Sequence, residues 1–128
     1  MKKFLSLSVL IGCFLMLATT KVSAQDAIRN NTPCEFLVKV AYGDLAGCDV
    51  AGFMTVTVPP FTQISLGTGM EILYAKGVPD GTPIPDCAFY IAQGFCAPYP
   101  QTDFVTNPQC CDGYSATIFT GFGIYLTN

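Results

Sequence analysis

The chain has 128 residues, 51% hydrophobic and only 12% charged, with a formal net charge of −3 at pH 7. It contains no histidine and no tryptophan, which excludes a histidine general base, a Ser-His-Asp triad and histidine-ligated zinc. The acidic balance excludes nucleic acid as a partner, because binding a phosphate backbone depends on lysine and arginine to neutralise it.

Met1-Lys2-Lys3 leads into a largely apolar run from Phe4 to Ala18, and Val22-Ser23-Ala24 supplies small residues behind it. These are the charged, hydrophobic and cleavage parts of a secretory signal peptide. They predict a signal segment over 1–24, cut before Gln25, and a secreted (extracellular or periplasmic) product. The run is shorter than the roughly 20 residues that cross a hydrocarbon core, so no membrane insertion is expected after cleavage. Leu10-Ile11-Gly12-Cys13 resembles the lipobox of bacterial lipoproteins, which makes anchoring through Cys13 a second route. However, Phe14-Leu15-Met16-Leu17 follows where a lipoprotein carries a polar tether. Without residues 1–24, Arg29, Lys39 and Lys76 face nine acidic residues, a net charge of −6 over 104 residues. That length suits one domain.

Six cysteines remain beyond the signal: Cys34, Cys48, Cys87, Cys96, Cys110 and Cys111. An even number in a small exported domain predicts a framework of disulfides, although the spacing does not choose the pairing. Cys110 and Cys111 are expected to take different partners, because neighbouring side chains on an extended chain point to opposite sides.

Residues 25–33 are polar and without periodicity, which predicts a flexible N-terminal arm. It contains Asn30-Asn31-Thr32, a glycosylation sequon in a eukaryotic source. Residues 34–128 are read as a single disulfide-rich β domain. Residues 35–42 alternate, with Phe36, Val38, Val40 and Tyr42 on one side and Leu37, Lys39 and Ala41 on the other, the pattern of a half-buried strand. Further strands are expected over 53–58, 62–66 and 70–76. The first points Met54, Val56 and Val58 inward. The last is apolar on both faces and should be central. Residues 77–86, with three prolines, read as a stiff surface loop. Residues 87–93 read as a strand, with a two-turn helix capped by Asp86 as the alternative. Residues 96–113 read as loop. Residues 114–127 alternate again, with Ala116, Ile118, Phe122, Ile124 and Leu126 sharing a face, and Gly121 and Gly123 marking a bulge or a split. Six to seven short strands without a long helix predict an all-β fold. A small disulfide-stabilised antiparallel β-sandwich is preferred to a barrel.

Little chemistry stands out. Asp44, Asp49, Asp80, Asp86, Asp103 and Asp112 fall at predicted turns, where such side chains bond their own backbone; paired-carboxylate catalysis or calcium binding are the lesser readings. No cofactor or metal is expected, and no enzymatic activity. Tyr99, Tyr114 and Tyr125 are candidates for a sugar-stacking platform. The expected function is a secreted, non-catalytic binding or structural module for a surface, a glycan or a protein, with self-assembly through the C-terminal strand as a further possibility. The alternative is a protease inhibitor presenting Val78, Pro79, Asp80, Thr82, Pro83 and Ile84 from the proline-rich loop, since a rigid loop loses less entropy on binding.

Overall fold

Period-2 alternation builds two sheets whose inner faces share one core. The structure, a computed structural model, describes residues 26–80, 85–94, 96 and 102–128. The strands are β1 (Ala27–Asn31), β2 (Phe36–Asp44), β3 (Asp49–Val58), β4 (Thr62–Ser65), β5 (Glu71–Pro79), β6 (Phe89–Ala92), β7 (Phe104–Asn107), β8 (Tyr114–Phe119) and β9 (Gly123–Thr127). One sheet has the order β4-β1-β9-β8-β7 and the other β3-β2-β5-β6. Every pairing is antiparallel except that of β1 with β9.

The five-stranded sheet contributes Ile28, Ala116, Ile118, Ile124 and Leu126 to the core, and the four-stranded sheet Phe36, Val38, Val40, Phe89 and Ile91. Each fully buried side chain of this kind is worth roughly 1.5–3 kcal/mol. Phe36, Phe89 and Tyr114 close one end of the core. The Phe36 and Tyr114 rings meet edge to face at 4.9 Å, with Phe89 at 6.2 and 6.3 Å from them. Gly77 lies opposite Phe89 on β5, and the Phe89 ring occupies the space a Cβ would need there.

Three disulfides brace the domain: Cys34–Cys111 and Cys87–Cys110 join the two layers, and Cys48–Cys96 links two connections of the four-stranded sheet. The adjacent cysteines therefore part company as expected. Cys111 ties the turn before β8 to the start of β2, and Cys110 ties it to the segment before β6. Three disulfides fit an oxidising environment. No helix among the described residues is long and apolar enough to cross a membrane. The signal segment, Gln25, Cys13 and the cleavage site lie outside the described residues.

The small disulfide-stabilised all-β sandwich holds, but the details correct several expectations. Nine strands are described, not six or seven. Residues 26–33 do not form an arm: β1 sits between β4 and β9 inside a sheet. Its inward positions are Ile28, Asn30 and then Thr32, so hydrogen bonding replaces the apolar signal. The stretch 96–113 contains β7, a short edge strand with exposed Phe104 and Thr106. The run 114–127 splits into β8 and β9. Phe122 falls in the turn between them and is exposed, whereas Ile124 and Leu126 are buried. β9 has a neighbour on each side, so its backbone offers no edge for self-assembly. Residues 87–93 contain strand β6, and the helical alternative shrinks to one 3-10 turn over Pro85–Cys87. β5 is central as expected, but it runs on through Gly77, Val78 and Pro79, so the loop expected over 77–86 begins only after Pro79.

Candidate binding face

Strand register fixes what the four-stranded sheet presents on the side away from the core. Lys39 on β2 stands opposite Thr55 on β3 and Lys76 on β5, and Lys76 stands opposite Tyr90 on β6. In the next row on the same face Ala41 lies between Phe53 and Tyr74, and on the other side Leu37 lies between Thr57 and Val78. The Lys39 ammonium is 5.4 Å from the centre of the Phe53 ring, and that of Lys76 is 5.1 Å from the centre of the Tyr90 ring. Phe53 and Tyr74 meet edge to face at 6.4 Å. Phe53 is 58% exposed and Tyr90 47%.

Two like charges directly opposite on neighbouring strands repel. Each cation over a ring recovers about 0.5–1 kcal/mol at an exposed site. This pair is unexpected because cations are so scarce. The third cation among the described residues, Arg29, lies on the outer face of the other sheet, opposite Tyr125 and Gln63, where its Nε donates to Asn31 Oδ1 at 3.4 Å. All nine acidic residues stand at strand ends or in connections. Asp26 and Glu35 precede β1 and β2, Asp44 ends β2, and Asp49 and Glu71 open β3 and β5. Asp80, Asp86, Asp103 and Asp112 lie in turns or just outside strands. The charge pattern is thus a positive, aromatic sheet face within an acidic rim.

The sites read from the sequence distribute differently. Val78 and Pro79 of the proposed inhibitory loop are strand residues paired with Leu37 and Phe36. The Asp80 amide donates to Glu35 O at 2.8 Å. Thr82, Pro83 and Ile84 lie outside the described residues, as does Tyr99. Tyr114 is no platform: it is 1% exposed and donates to the carbonyl of Cys87 at 2.5 Å. Burial pushes its hydroxyl pKa up to about 12, the Asn107 side chain opposing the shift. Tyr125 is half-buried on the outer face of the five-stranded sheet, with the Phe119 ring 5.4 Å away. Among the described residues no three potential metal ligands come together. Asp44 and Glu71 flank a shallow groove with Gly43, Leu45, Gly69 and Met70, and Asp44 Oδ1 accepts from the Ala46 amide in a local turn.

Buried polar residues escaped the sequence reading. Asn30 is 0% exposed; its Nδ2 donates to Cys34 O at 2.7 Å and Pro59 O at 2.9 Å, and its Oδ1 accepts from Thr32 N and Oγ1. A glycan on this sequon asparagine is incompatible with the fold. Asp26 binds Thr68 Oγ1 at 2.8 Å and the amides of Thr68 and Gly69 at 2.5 and 3.1 Å. Lys39 was readable as an outward-facing residue, but its proximity to Lys76 required the β2–β5 register. Comparison with protein-family models, with curated proteins and with solved structures finds no match to any of them.

Proposed function

We propose that the protein is a secreted, non-catalytic binding module whose contact surface is the outer face of the β3-β2-β5-β6 sheet. Its partner is an acidic glycan. The carrying observation is the Lys39–Lys76 pair, set directly opposite across two strands and framed by Phe53, Tyr74 and Tyr90. A carboxylate or sulfate of the ligand accepts from an ammonium group on this face. A pyranose ring presents C–H bonds that stack on the exposed aromatic rings, and Thr55 and Thr57 offer hydroxyls beside them. The acidic rim disfavours anions elsewhere on the domain and so limits the orientations of binding.

Binding is measured by calorimetry against polygalacturonate and dextran sulfate, with neutral dextran as control. The wild-type protein is expected to bind at least one acidic polymer with an affinity that falls as salt rises. Lys39→Gln together with Lys76→Gln should weaken it by about tenfold or more, equivalent to two modest ionic contacts. Phe53→Ala should weaken it while leaving the salt dependence unchanged. Binding that survives the double lysine substitution overturns the assignment of this face. The inhibitor reading gains no support from Val78 and Pro79 lying in a strand, and a screen against a protease panel separates it from the glycan reading.

A further inference from the structure

The four sheet edges are not alike. β4, β6 and β7 are four residues long each, whereas β3 has ten. Short strands, lysine and proline are devices that keep an edge from pairing with another chain. β3 reads Asp-Val-Ala-Gly-Phe-Met-Thr-Val-Thr-Val, with one charge at its first position and no lysine or proline. Among the described residues it pairs with β2 alone. A register shift between Tyr42 and Gly43 places a bulge at Ala51, which leaves Gly52–Val58 as a regular seven-residue ladder centred on Thr55.

We infer that β3 is a dimerisation edge that pairs antiparallel with β3 of a second copy, about a two-fold axis at Thr55. The occupant follows from the self-complementarity of the strand. In this register Thr55 meets its own counterpart, and Phe53 meets Thr57 of the second copy on the outer face. On the inner face Met54 meets Val56, both half-buried at the margin of the core. Thr–Thr, aromatic–β-branched and apolar pairs are the favourable cross-strand combinations. The two Asp49 residues end up at opposite ends of the ribbon. A parallel arrangement in register would set them side by side. An even register of this kind also keeps both cores on the same side of a continuous eight-stranded sheet, as a closed isologous interface requires. The dimer does not depend on the glycan reading, although it would join the two lysine–aromatic faces into one surface.

Sedimentation velocity of the protein without ligand, over a range of concentrations, tests the pairing. The wild type is expected to form a concentration-dependent dimer. Thr55→Glu and Thr55→Lys each place like charges opposite one another and should each raise the dimer dissociation constant by about tenfold. Mixing the two variants should restore association, because opposite charges then meet at the axis. Thr55 is exposed, so both variants retain the core, and circular dichroism verifies this. A wild type that stays monomeric at about millimolar concentration overturns the proposal. So does an association indifferent to both substitutions, or one that the mixture fails to rescue.

Discussion

The two ends of the sandwich are secured by different chemistry. At the end where β2 begins and β3 finishes, Cys34–Cys111 and Cys87–Cys110 converge on adjacent cysteines. There Asn30 binds the carbonyls of Cys34, Val58 and Pro59, and Tyr114 reaches the carbonyl of Cys87. At the opposite end one disulfide, Cys48–Cys96, joins the β2–β3 turn to the segment after β6, while Asp26 holds the Thr68-Gly69 loop. The first end ties backbone that is buried; the second ties a loop that water can reach. The same kinds of group should therefore contribute differently at the two ends.

The disulfides give the largest test. Chain-entropy arguments assign about 4 kcal/mol to a bridge closing a loop as long as the 77-residue separation of Cys34 and Cys111, and nearly as much to the 48-residue separation of Cys48 and Cys96. Replacing each pair by alanine and measuring urea unfolding should show a loss of about 4 kcal/mol for Cys34–Cys111. The loss at Cys48–Cys96 should be smaller, because Cys34 and Cys111 both pack against the shared core cluster, to which neither Cys48 nor Cys96 belongs. Equal losses would mean that loop closure alone sets the contribution and that the ends do not differ in packing.

Asn30 and Asp26 sharpen the contrast. Asn30→Ala leaves the carbonyls of Cys34, Val58 and Pro59, all in buried or part-buried contacts, and the buried Thr32 amide without their partner, and should cost about 3 kcal/mol. Asp26→Ala frees amides of an exposed loop that water can satisfy, and should cost about 1–2 kcal/mol. The reverse order, measured by denaturant unfolding, would place the stronger lock at the Asp26 end.

Alkaline pH addresses the aromatic cluster of the first end. The Tyr114 hydroxyl is raised from 10.0 to about 12 by burial, so the unfolded chain loses its proton before the folded one. Stability is then fully present below pH 10 and falls as pH rises from about 10 to 12, by roughly 2–3 kcal/mol in all. Unfolding measured across that window should show this slope, and Tyr114→Phe should flatten it while lowering stability at neutral pH by about 1 kcal/mol through loss of the bond to Cys87.

Legibility from sequence followed the same physics. β2, β4, β5 and the C-terminal pair announced themselves because alternating apolar residues face a single core. β1 did not, because Asn30 and Thr32 fill inward positions with hydrogen bonds where a strand usually shows aliphatic side chains. β7 did not, because a four-residue edge strand buries too little to leave a period. Cys110 and Cys111 do take separate partners, but in a turn where Cys111 has φ of 52° and not on the extended chain that the expectation assumed, and the pairing itself needed the sheet order. The lysine–aromatic face was half legible: alternation gave the direction of Lys39, but residues 37 positions apart meet only through register. The inhibitory loop was over-read, since prolines at 79 and 83 suggested one continuous connection while β5 extends to Pro79.

The smallest predicted effect concerns Phe61, in the crossing from β3 to β4 at the disulfide-rich end. Phe61 has φ of 53° and is 69% exposed, a conformation that costs a bulky residue on the order of 1 kcal/mol. Its neighbours impose it. Pro59 and Pro60 restrict the approach, Asn30 and Thr62 both bind the Pro59 carbonyl, and the Phe61 amide donates to Thr32 O at 3.3 Å. Phe61→Gly removes the steric cost but gives the unfolded chain more freedom, which offsets roughly half the gain. The expected result is a rise in stability of about 0.5 kcal/mol, or roughly 2–4 °C in Tm. Such a rise means that the clamped end can hold an unfavourable backbone because its other bonds over-determine the turn. A fall in Tm would instead assign the exposed ring a packing role of its own, and the rigidity of this end would then owe something to Phe61 as well as to Asn30 and the paired disulfides.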